Sequence, residues 1–214
     1  MVARPRFYTL LPSHYCVCID RALAYKGIAV ERVNVPYHDK RQLLRETGQD
    51  YAPALKWGRR VIPWYEIPKF LDRVQPSPPL FPPGLEGLAG LIEGWAHDVL
   101  EERIWRAVVT EVPPYLGDDF ERWTFEEMQT RVRGPWHVQR ARRAEFRRAL
   151  QPYFGMVEAL LTDRDWVLGV PSIGDFGLYG GMWAWFLVGR PVPRAFPRVA
   201  AWAERIRRLK PRRR

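Results

Sequence analysis

The chain has 214 residues, 47% of them apolar, and a formal net charge of +10 that comes mostly from arginine. This length allows one large domain or two small ones, with a sizeable core in either case. No stretch approaches the roughly 20 apolar residues of a membrane-spanning helix, and the N-terminus lacks the long apolar run of a signal peptide. We therefore expect a cytoplasmic protein with no membrane association.

The first third of the sequence alternates short apolar runs with helical stretches. Gly27 and Gly48 each stand where a helix is expected to end in a left-handed residue, and Pro68 fits only the first turn of its helix. Strands are expected at residues 6–11, 30–35, 54–56 and 60–62, and helices at residues 13–26, 39–47 and 64–73. This β-α-β-α-β-β-α order predicts an α/β unit, a mixed four-stranded sheet flanked by helices.

A proline-rich segment separates this region from the rest of the chain. Five of the eleven residues from Val74 to Gly84 are proline, which excludes both a helix and a central strand. Beyond it we find no strand candidate, and an all-α region is expected. The predicted helices are residues 85–110, 140–161 (with a kink at Pro152), 176–188 and 198–209.

Four parts follow from this division of the chain. We expect a first domain over residues 1–75, a linker over 76–84, an all-helical domain over 85–209 and a basic tail over 210–214.

Two arginine-rich clusters raise the question of a nucleic-acid partner. They are residues 140–148, at helical spacing, and residues 205–214. Basic patches can bind phosphate backbones, but no motif with aromatic stacking positions accompanies either cluster. A solvated helix face and a basic tail are therefore the favoured interpretation, and nucleic acid is not an expected partner.

The segment from Trp166 to Trp185 contains a helix start. Ser172 is followed three residues later by Asp175 and then by an apolar run. In a capping box the first side chain accepts from the amide of the second residue, and the second side chain accepts from the amide of the first. The pattern predicts such a box, with Asp in place of the usual Glu.

Together these features resemble the glutathione S-transferase superfamily. The resemblance rests on the domain order, the linker position, the Gly169-x-x-Ser172-x-x-Asp175 turn, and the segment Ala52-Pro53-Ala54-Leu55. That segment is similar to the family's Val-Pro-x-Leu loop with a cis-proline. The resemblance covers essentially the whole chain and implies a thioredoxin-like N-terminal domain, a helical-bundle C-terminal domain, a cis Ala52–Pro53 bond and a homodimer.

The resemblance also implies a thiol site at the start of the first helix, which here is Leu11 to Cys16. Helix-terminal amides favour a thiolate over a thiol. Ser13 occupies the position where many bacterial members carry a catalytic Ser or Cys, and its hydroxyl would stabilise the thiolate. It is equally suited to capping the helix. The position of the tyrosine-type members corresponds to Leu10, so a tyrosine mechanism is not expected.

The two cysteines lie two residues apart in this helix, so their side chains point in different directions and no mutual disulfide is expected. Cys16 stands where redox relatives keep the second cysteine of Cys-x-x-Cys, but the first position is Ser13. Cys16 is then either inert packing or a partner for a mixed disulfide with a small thiol. Cys18 is expected in the core.

One departure from the family concerns the start of the third helix. Family members have an acid followed by Ser, which bind the γ-glutamyl end of glutathione, whereas this chain has Pro63-Trp64. Pro63 has no amide to donate, and Trp64 is bulky enough to fill that corner. By resemblance, the backbone of Ala52 would pair with the thiol's peptide portion, and a second substrate would lie near Trp95 and Glu102.

Two functional hypotheses follow. The first is an enzyme of the glutathione S-transferase type, which joins glutathione or another low-molecular-weight thiol to an electrophile or reduces a mixed disulfide. The second is a binding or scaffold protein that has this fold but has lost catalysis. No metal is expected, because the four histidines are scattered and no Cys/His cluster has metal-ligand spacing.

Overall fold

The computed structural model describes residues 4–209. Its N-terminal part is built on a mixed four-stranded sheet with the order β2-β1-β3-β4, as the sequence predicts. The strands are β1 (Arg6–Thr9), β2 (Glu31–Asn34), β3 (Ala54–Trp57) and β4 (Arg60–Pro63). Strand β1 pairs parallel with β2 and antiparallel with β3, and β3 and β4 form a hairpin.

Strand β1 ends two residues before the predicted boundary because the chain turns into the first helix. The Leu10 carbonyl accepts from the Ser13 amide at 3.0 Å, and the Leu10 amide donates to Cys16 Sγ at 3.3 Å. Leu10 and Leu11 therefore belong to a tight loop.

Three helices flank the sheet: α1 (His14–Lys26), α2 (Arg41–Thr47) and α3 (Ile67–Val74), the last preceded by a 3-10 turn over Trp64–Glu66. Helices α1 and α2 end at Gly27 (φ 68°) and Gly48 (φ 73°), both in the left-handed region. Pro68 lies in the first turn of α3, so these local expectations are confirmed. No helix or strand occurs between Val74 and Glu86.

The remainder of the described chain, to Leu209, contains helices and no strand. The helices are α4 (Glu86–Trp95), α5 (Glu101–Val108), α6 (Asp119–Arg133), α7 (Trp136–Ala149), α8 (Gln151–Leu160), α9 (Ile173–Gly181), α10 (Trp183–Leu187) and α11 (Pro197–Arg207). A π-helical turn, Ala96–Leu100, joins α4 to α5, so the long helix predicted over 85–110 contains an irregular turn.

Three helix predictions need correction. Helix α6 was not predicted, because it is strongly polar and buries only Phe125 and Gln129. The helix predicted over 140–161 starts earlier, at Trp136, and is divided at Leu150, with Pro152 in the first turn of α8. The helix predicted over 176–188 begins at Ile173 and is interrupted at Met182.

Helix α9 lies at the centre of the molecule, and all nine of its residues are buried. It packs against α1 and α4 and so joins the sheet-bearing part to the helical part. Glycine makes this approach possible: a Cβ on Gly180 would lie 2.5 Å from the His14 carbonyl oxygen, and one on Gly181 would lie 2.8 Å from the Ala96 carbonyl oxygen.

The start of α9 confirms the predicted capping box. Asp175 Oδ2 accepts from the Ser172 amide and from Ser172 Oγ, both at 3.0 Å. Its other oxygen, Oδ1, accepts from the Val167 amide and from Trp202 Nε1, also at 3.0 Å. The carboxylate therefore fastens the loop before α9 and helix α11 to one buried point, which the capping-box pattern alone did not predict.

The predicted cis Ala52–Pro53 peptide bond is confirmed. A second cis bond, Ser77–Pro78, lies in the proline-rich segment and was not predicted. No helix in the described part of the chain has the length and apolarity needed to cross a membrane.

Candidate functional site

The sheet register brings the cis-proline loop beside the start of α1. Tyr8 is paired with Ala54 in the antiparallel β1–β3 ladder, so Pro53 follows alongside Thr9, where β1 turns into α1. The chain segments that carry Ser13 and Ala52 are thus neighbours through the fold, although 39 positions separate them in sequence.

Ser13 is the N-cap of α1. Its Oγ accepts from the Cys16 amide at 3.3 Å, and its backbone is extended (φ −79°, ψ 117°), as capping requires. Ser13 is only partly buried. A hydroxyl oxygen that accepts a bond still carries a proton to donate, so capping leaves Ser13 chemically able to donate to a sulfur.

Cys16 and Cys18 are both free thiols and both buried. Burial raises the pKa of the Cys16 thiol, although Ser13 and the Leu10 amide oppose the shift. Burial also raises the pKa of Cys18 well above its usual range, and the Glu93 carboxylate adds to this. A neutral, buried Cys16 agrees with inert packing better than with a reactive thiolate.

Trp64 lies against the first turn of α1. Its ring centroid is 4.2 Å from that of Tyr15, and Tyr15 in turn contacts the His97 ring at 4.3 Å. Pro63 is the last residue of β4 and is paired with Ala54. A cluster of tilted rings therefore occupies the region where the resemblance implies an acid and a serine.

The backbone of Ala52 is available to a ligand. Ala52 precedes β3 and is half-buried, and among residues 4–209 neither its amide nor its carbonyl has a hydrogen-bond partner in the turns and loops. A free amide and carbonyl next to a fixed proline can pair with an extended peptide in the manner of a short strand.

A cavity of about 720 Å³ borders the β1–α1 loop. Its walls come from that loop, from α1, from the end of β2, and from the helical part of the chain. They include Leu10, Leu11, Cys16, Asn34, Leu116 and Trp183. Trp183 Nε1 donates to the Leu11 carbonyl at 2.8 Å, which fixes one wall to the loop.

Trp95 and Glu102 lie away from this cavity. Trp95 stacks on Tyr153 with ring centroids 6.2 Å apart. Glu102 is held by Arg106 at 2.8 Å and by Arg133 at 2.7 Å. A place for the second substrate near these two residues remains a prediction from the resemblance.

Tyr8 is a packing residue. It is fully buried with Leu43 of α2, and its hydroxyl donates to Glu46 Oε2 at 2.5 Å. Burial, together with the Glu46 bond, raises its pKa to about 12. Its hydroxyl is therefore not available as a thiol activator.

His14 is mostly buried and faces a carboxylate. It is the first residue of α1, its side chain is 15% exposed, and its Nδ1 lies 3.3 Å from Glu101 Oε1. Burial lowers its pKa, so the ring is neutral near pH 7. Glu101 could not be found from sequence, because nothing local connects residues 87 positions apart.

The arginines of residues 140–148 are partly neutralised. Arg142 pairs with Glu145, and Arg143 and Arg147 pair with Glu111. These ion pairs support a solvated helix face over a nucleic-acid surface. Residues 210–214, the predicted basic tail, lie outside the described residues.

Comparison with known proteins gives matches only at the level of structure. No protein-family model and no curated protein matches the chain. Glutaredoxin 2 from Salmonella typhimurium in complex with glutathione superposes with a TM-score of 0.79 at 17% identity, over 97% of this chain and 95% of that one.

Two glutathione S-transferases are also similar. The enzyme from Ceriporiopsis subvermispora in complex with glutathione has a TM-score of 0.75 at 18% identity, with 96% of each chain covered. That from Methylobacterium radiotolerans, in complex with glutathione sulfonate, has a TM-score of 0.64 at 26% identity, over 96% of this chain and 91% of that one. The chain thus has the glutathione S-transferase fold, a thioredoxin-like domain followed by a helical domain.

Proposed function

We propose that this protein binds glutathione or a related low-molecular-weight thiol, with its sulfur at the start of α1, and transfers that thiol to an electrophile. The observation that carries the proposal is the half-exposed Ser13 cap of α1 beside the cis-proline loop. Similar folds are known with glutathione bound, which supports the same class of ligand here.

The chemistry follows from the residues at this point. The amides of the first turn of α1 and the positive end of its dipole lower the pKa of a bound thiol. The Ser13 hydroxyl donates to the sulfur and stabilises the thiolate further. The free backbone groups of Ala52 hold the peptide portion of the ligand in an extended form.

We place the electrophile in the 720 Å³ cavity, whose walls include Leu10, Leu11 and Leu116. Charged side chains, among them Asp20, Arg32 and Arg207, line it as well, so the cavity suits a molecule that has both an apolar part and a polar or charged group. The cavity adjoins the loop that leads to Ser13. The sulfur attacks the electrophilic carbon, a new carbon–sulfur bond forms, and the leaving group departs with the electron pair of the bond that breaks.

The second candidate is a binding or scaffold protein without catalysis. Pro63 and the packing of Trp64 on Tyr15 favour it, since they remove the usual partners of a γ-glutamyl ammonium and carboxylate. The thiol-transfer function is still compatible with a thiol that lacks the γ-glutamyl end, or with one whose end group binds outside the corner that Trp64 fills.

Turnover with a model electrophile, measured in matched variants, separates the candidates. Ser13→Ala should lower kcat and raise the apparent pKa of the bound thiol, with activity retained in part because the helix dipole and amides stay. Cys16→Ala should leave conjugation unchanged. Equal rates for Ser13→Ala and wild type would contradict the assigned role of Ser13, and no turnover in wild type would favour the scaffold.

A further inference from the structure

Three side chains, one from α1 and two from consecutive turns of the α4 region, converge beneath the start of α1. They are Cys18 on α1, Glu93 on α4 and His97 on the π-helical turn, and one ligand atom of each lies within 4.8 Å of the others. We propose that these residues form a binding site for a divalent transition-metal ion, and that their sulfur, oxygen and nitrogen donors fit zinc best.

One long hydrogen bond, from the Cys18 thiol to Glu93 Oε1, joins two of the donor groups, and His97 stands apart from that carboxylate. Cys18 Sγ lies 4.0 Å from Glu93 Oε1, and His97 Nε2 lies 3.8 Å from the same oxygen. The second distance is beyond a hydrogen bond. In a tetrahedral zinc site, bonds of about 2.0–2.3 Å put neighbouring ligand atoms about 3.4–3.6 Å apart. Closure by about 0.4 Å would bring these two pairs to that geometry, and the ligand atoms of Cys18 and His97, which lie within 4.8 Å of each other, would have to close by up to about 1.2 Å.

The histidine lacks the partners that a buried imidazole needs. Its side chain is 5% exposed, and its Nδ1 has no hydrogen-bond partner within the part of the chain that the structure describes. Buried polar atoms are nearly always paired, so an exception calls for an explanation. The metal ion would bond to the other ring nitrogen, Nε2, which lies 3.8 Å from Glu93 Oε1, so the ion does not itself account for the unpartnered Nδ1.

The backbone holds the three residues in place. Helix α9 approaches so closely that a Cβ on Gly177 would lie 2.9 Å from Glu93 Cα, and one on Gly180 would lie 3.3 Å from Cys18 Cβ. His97 lies in the π-helical turn Ala96–Leu100. Such turns are rare and occur frequently at functional sites. The cluster is therefore set by rigid helices and not by mobile loops.

A smaller cavity, of about 310 Å³, gives solvent a route to the cluster. Glu93 and His97 line it, with Asp98, Tyr15 and Trp64. Zinc sites with three protein ligands keep the fourth coordination position open to water or another exchangeable ligand. The carboxylates of Glu93 and Asp98 give this route a negative charge that attracts a cation. The proposal does not depend on the thiol function at Ser13.

Cobalt(II) titration of the untagged, reduced protein tests the site, because thiolate-bound cobalt absorbs in the near ultraviolet and tetrahedral cobalt absorbs in the visible. We expect one equivalent per chain with both bands, and displacement by zinc. A wild-type protein that binds no cobalt, or binds it without the thiolate band, would overturn the proposal.

Matched variants identify the ligands. Cys18→Ala should abolish the thiolate band, while Cys16→Ala, a change at the other buried cysteine, should leave it intact. His97→Gln should weaken binding by more than the roughly 10–100-fold lost with an outer partner, whereas the exposed His137→Gln should not. Circular dichroism checks folding; if Cys18→Ala does not fold, the histidine pair decides. A thiolate band retained in folded Cys18→Ala, or equal affinities in the two histidine variants, would refute the site.

Discussion

At the scale of single residues, the Asp175 carboxylate does more than cap a helix, because it also binds the loop before α9 and helix α11. It is fully buried and accepts four hydrogen bonds, from Val167, from Trp202 and twice from Ser172. Each of these donors would be left without water if the carboxylate were removed. The cost of its loss should therefore exceed that of an ordinary N-cap.

Asp175→Ala should lower the free energy of unfolding by about 3 kcal/mol or more, since each unsatisfied buried donor costs about 1–3 kcal/mol. Asp118→Ala is the matched control: Asp118 caps α6 by accepting from the Glu121 amide at 2.8 Å, but at an exposed site. It should cost about 1 kcal/mol. Urea denaturation of both variants measures the difference, and equal losses would contradict the multiple role of Asp175.

The raised pKa of Tyr8 predicts that the folded protein loses stability at alkaline pH. Its pKa is about 12 in the folded protein against 10.0 for a free tyrosine, so between these pH values the unfolded chain loses a proton that the folded protein keeps. Stability must then fall as pH rises through this range, by up to about 2–3 kcal/mol. Tyr8→Phe should flatten this fall while it lowers stability at neutral pH. An unchanged slope in the variant would contradict the assignment.

Residues whose roles are local could be predicted from sequence, and those whose roles depend on distant contacts could not. The Ser13 cap and the Ser172–Asp175 box each involve residues three apart. The contact of Trp64 with Tyr15, and the approach of Cys18 to Glu93 and His97, join residues far apart in sequence. Spacing rules for metal ligands address one helix or loop at a time, so a site shared by two helices, such as the proposed metal site, lies outside what they predict.

At the scale of elements, helix α9 determines how the two parts of the chain fit together. Its apolar pattern was visible in the sequence, but its extent was not, because the glycines that permit its packing also weaken helix propensity. Helix α6 was missed for the opposite reason: it buries little and so lacks an apolar stripe. Elements with a buried face were predictable, whereas boundaries set by tertiary packing were not.

The glycines of α9 give a matched test. Gly180→Ala should destabilise the protein by about 2 kcal/mol or more, because the new Cβ would lie 2.5 Å from the His14 carbonyl and the helices would have to separate. Gly90→Ala in α4 meets nothing within 4 Å and should stabilise by about 0.5–1 kcal/mol through helix propensity. Thermal melts of both variants report the sign. Stabilisation by Gly180→Ala would contradict the close α1–α9 contact.

At the scale of the whole molecule, the two-part architecture could be predicted from the sequence. The proline-rich segment marks the boundary, and the predicted elements change there from strands and helices to helices alone. The sequence predicts the thiol site at the start of α1 beside Pro53, and that function stays a prediction. The surroundings of this point could not be predicted, because the contact of Tyr15 with His97 and the 720 Å³ cavity each bring together residues of the sheet-bearing part and of the helical part.

The resemblance also predicts a homodimer in which the first domain of one subunit contacts the helical domain of the other. The chain has a mass of 25.2 kDa, so multi-angle light scattering at micromolar concentration should give about twice that value. Exposed apolar residues such as Leu91 (68% exposed) and Tyr65 (58%) on α4 and before α3 are available for such an interface. Particles of single-chain mass at all concentrations would exclude the dimer.

Calorimetric titration with glutathione tests the thiol site most directly, with S-methylglutathione as the comparison ligand and two buffers of different ionisation enthalpy. If the sulfur binds as a thiolate at the start of α1, glutathione should bind at one site per chain and release about one proton at pH 7, while S-methylglutathione should release none. Ser13→Ala should reduce this proton release. Absence of binding by glutathione and other small thiols, in wild type and in the Pro63→Glu/Trp64→Ser variant that restores an acid–serine pair, would contradict a thiol-binding function.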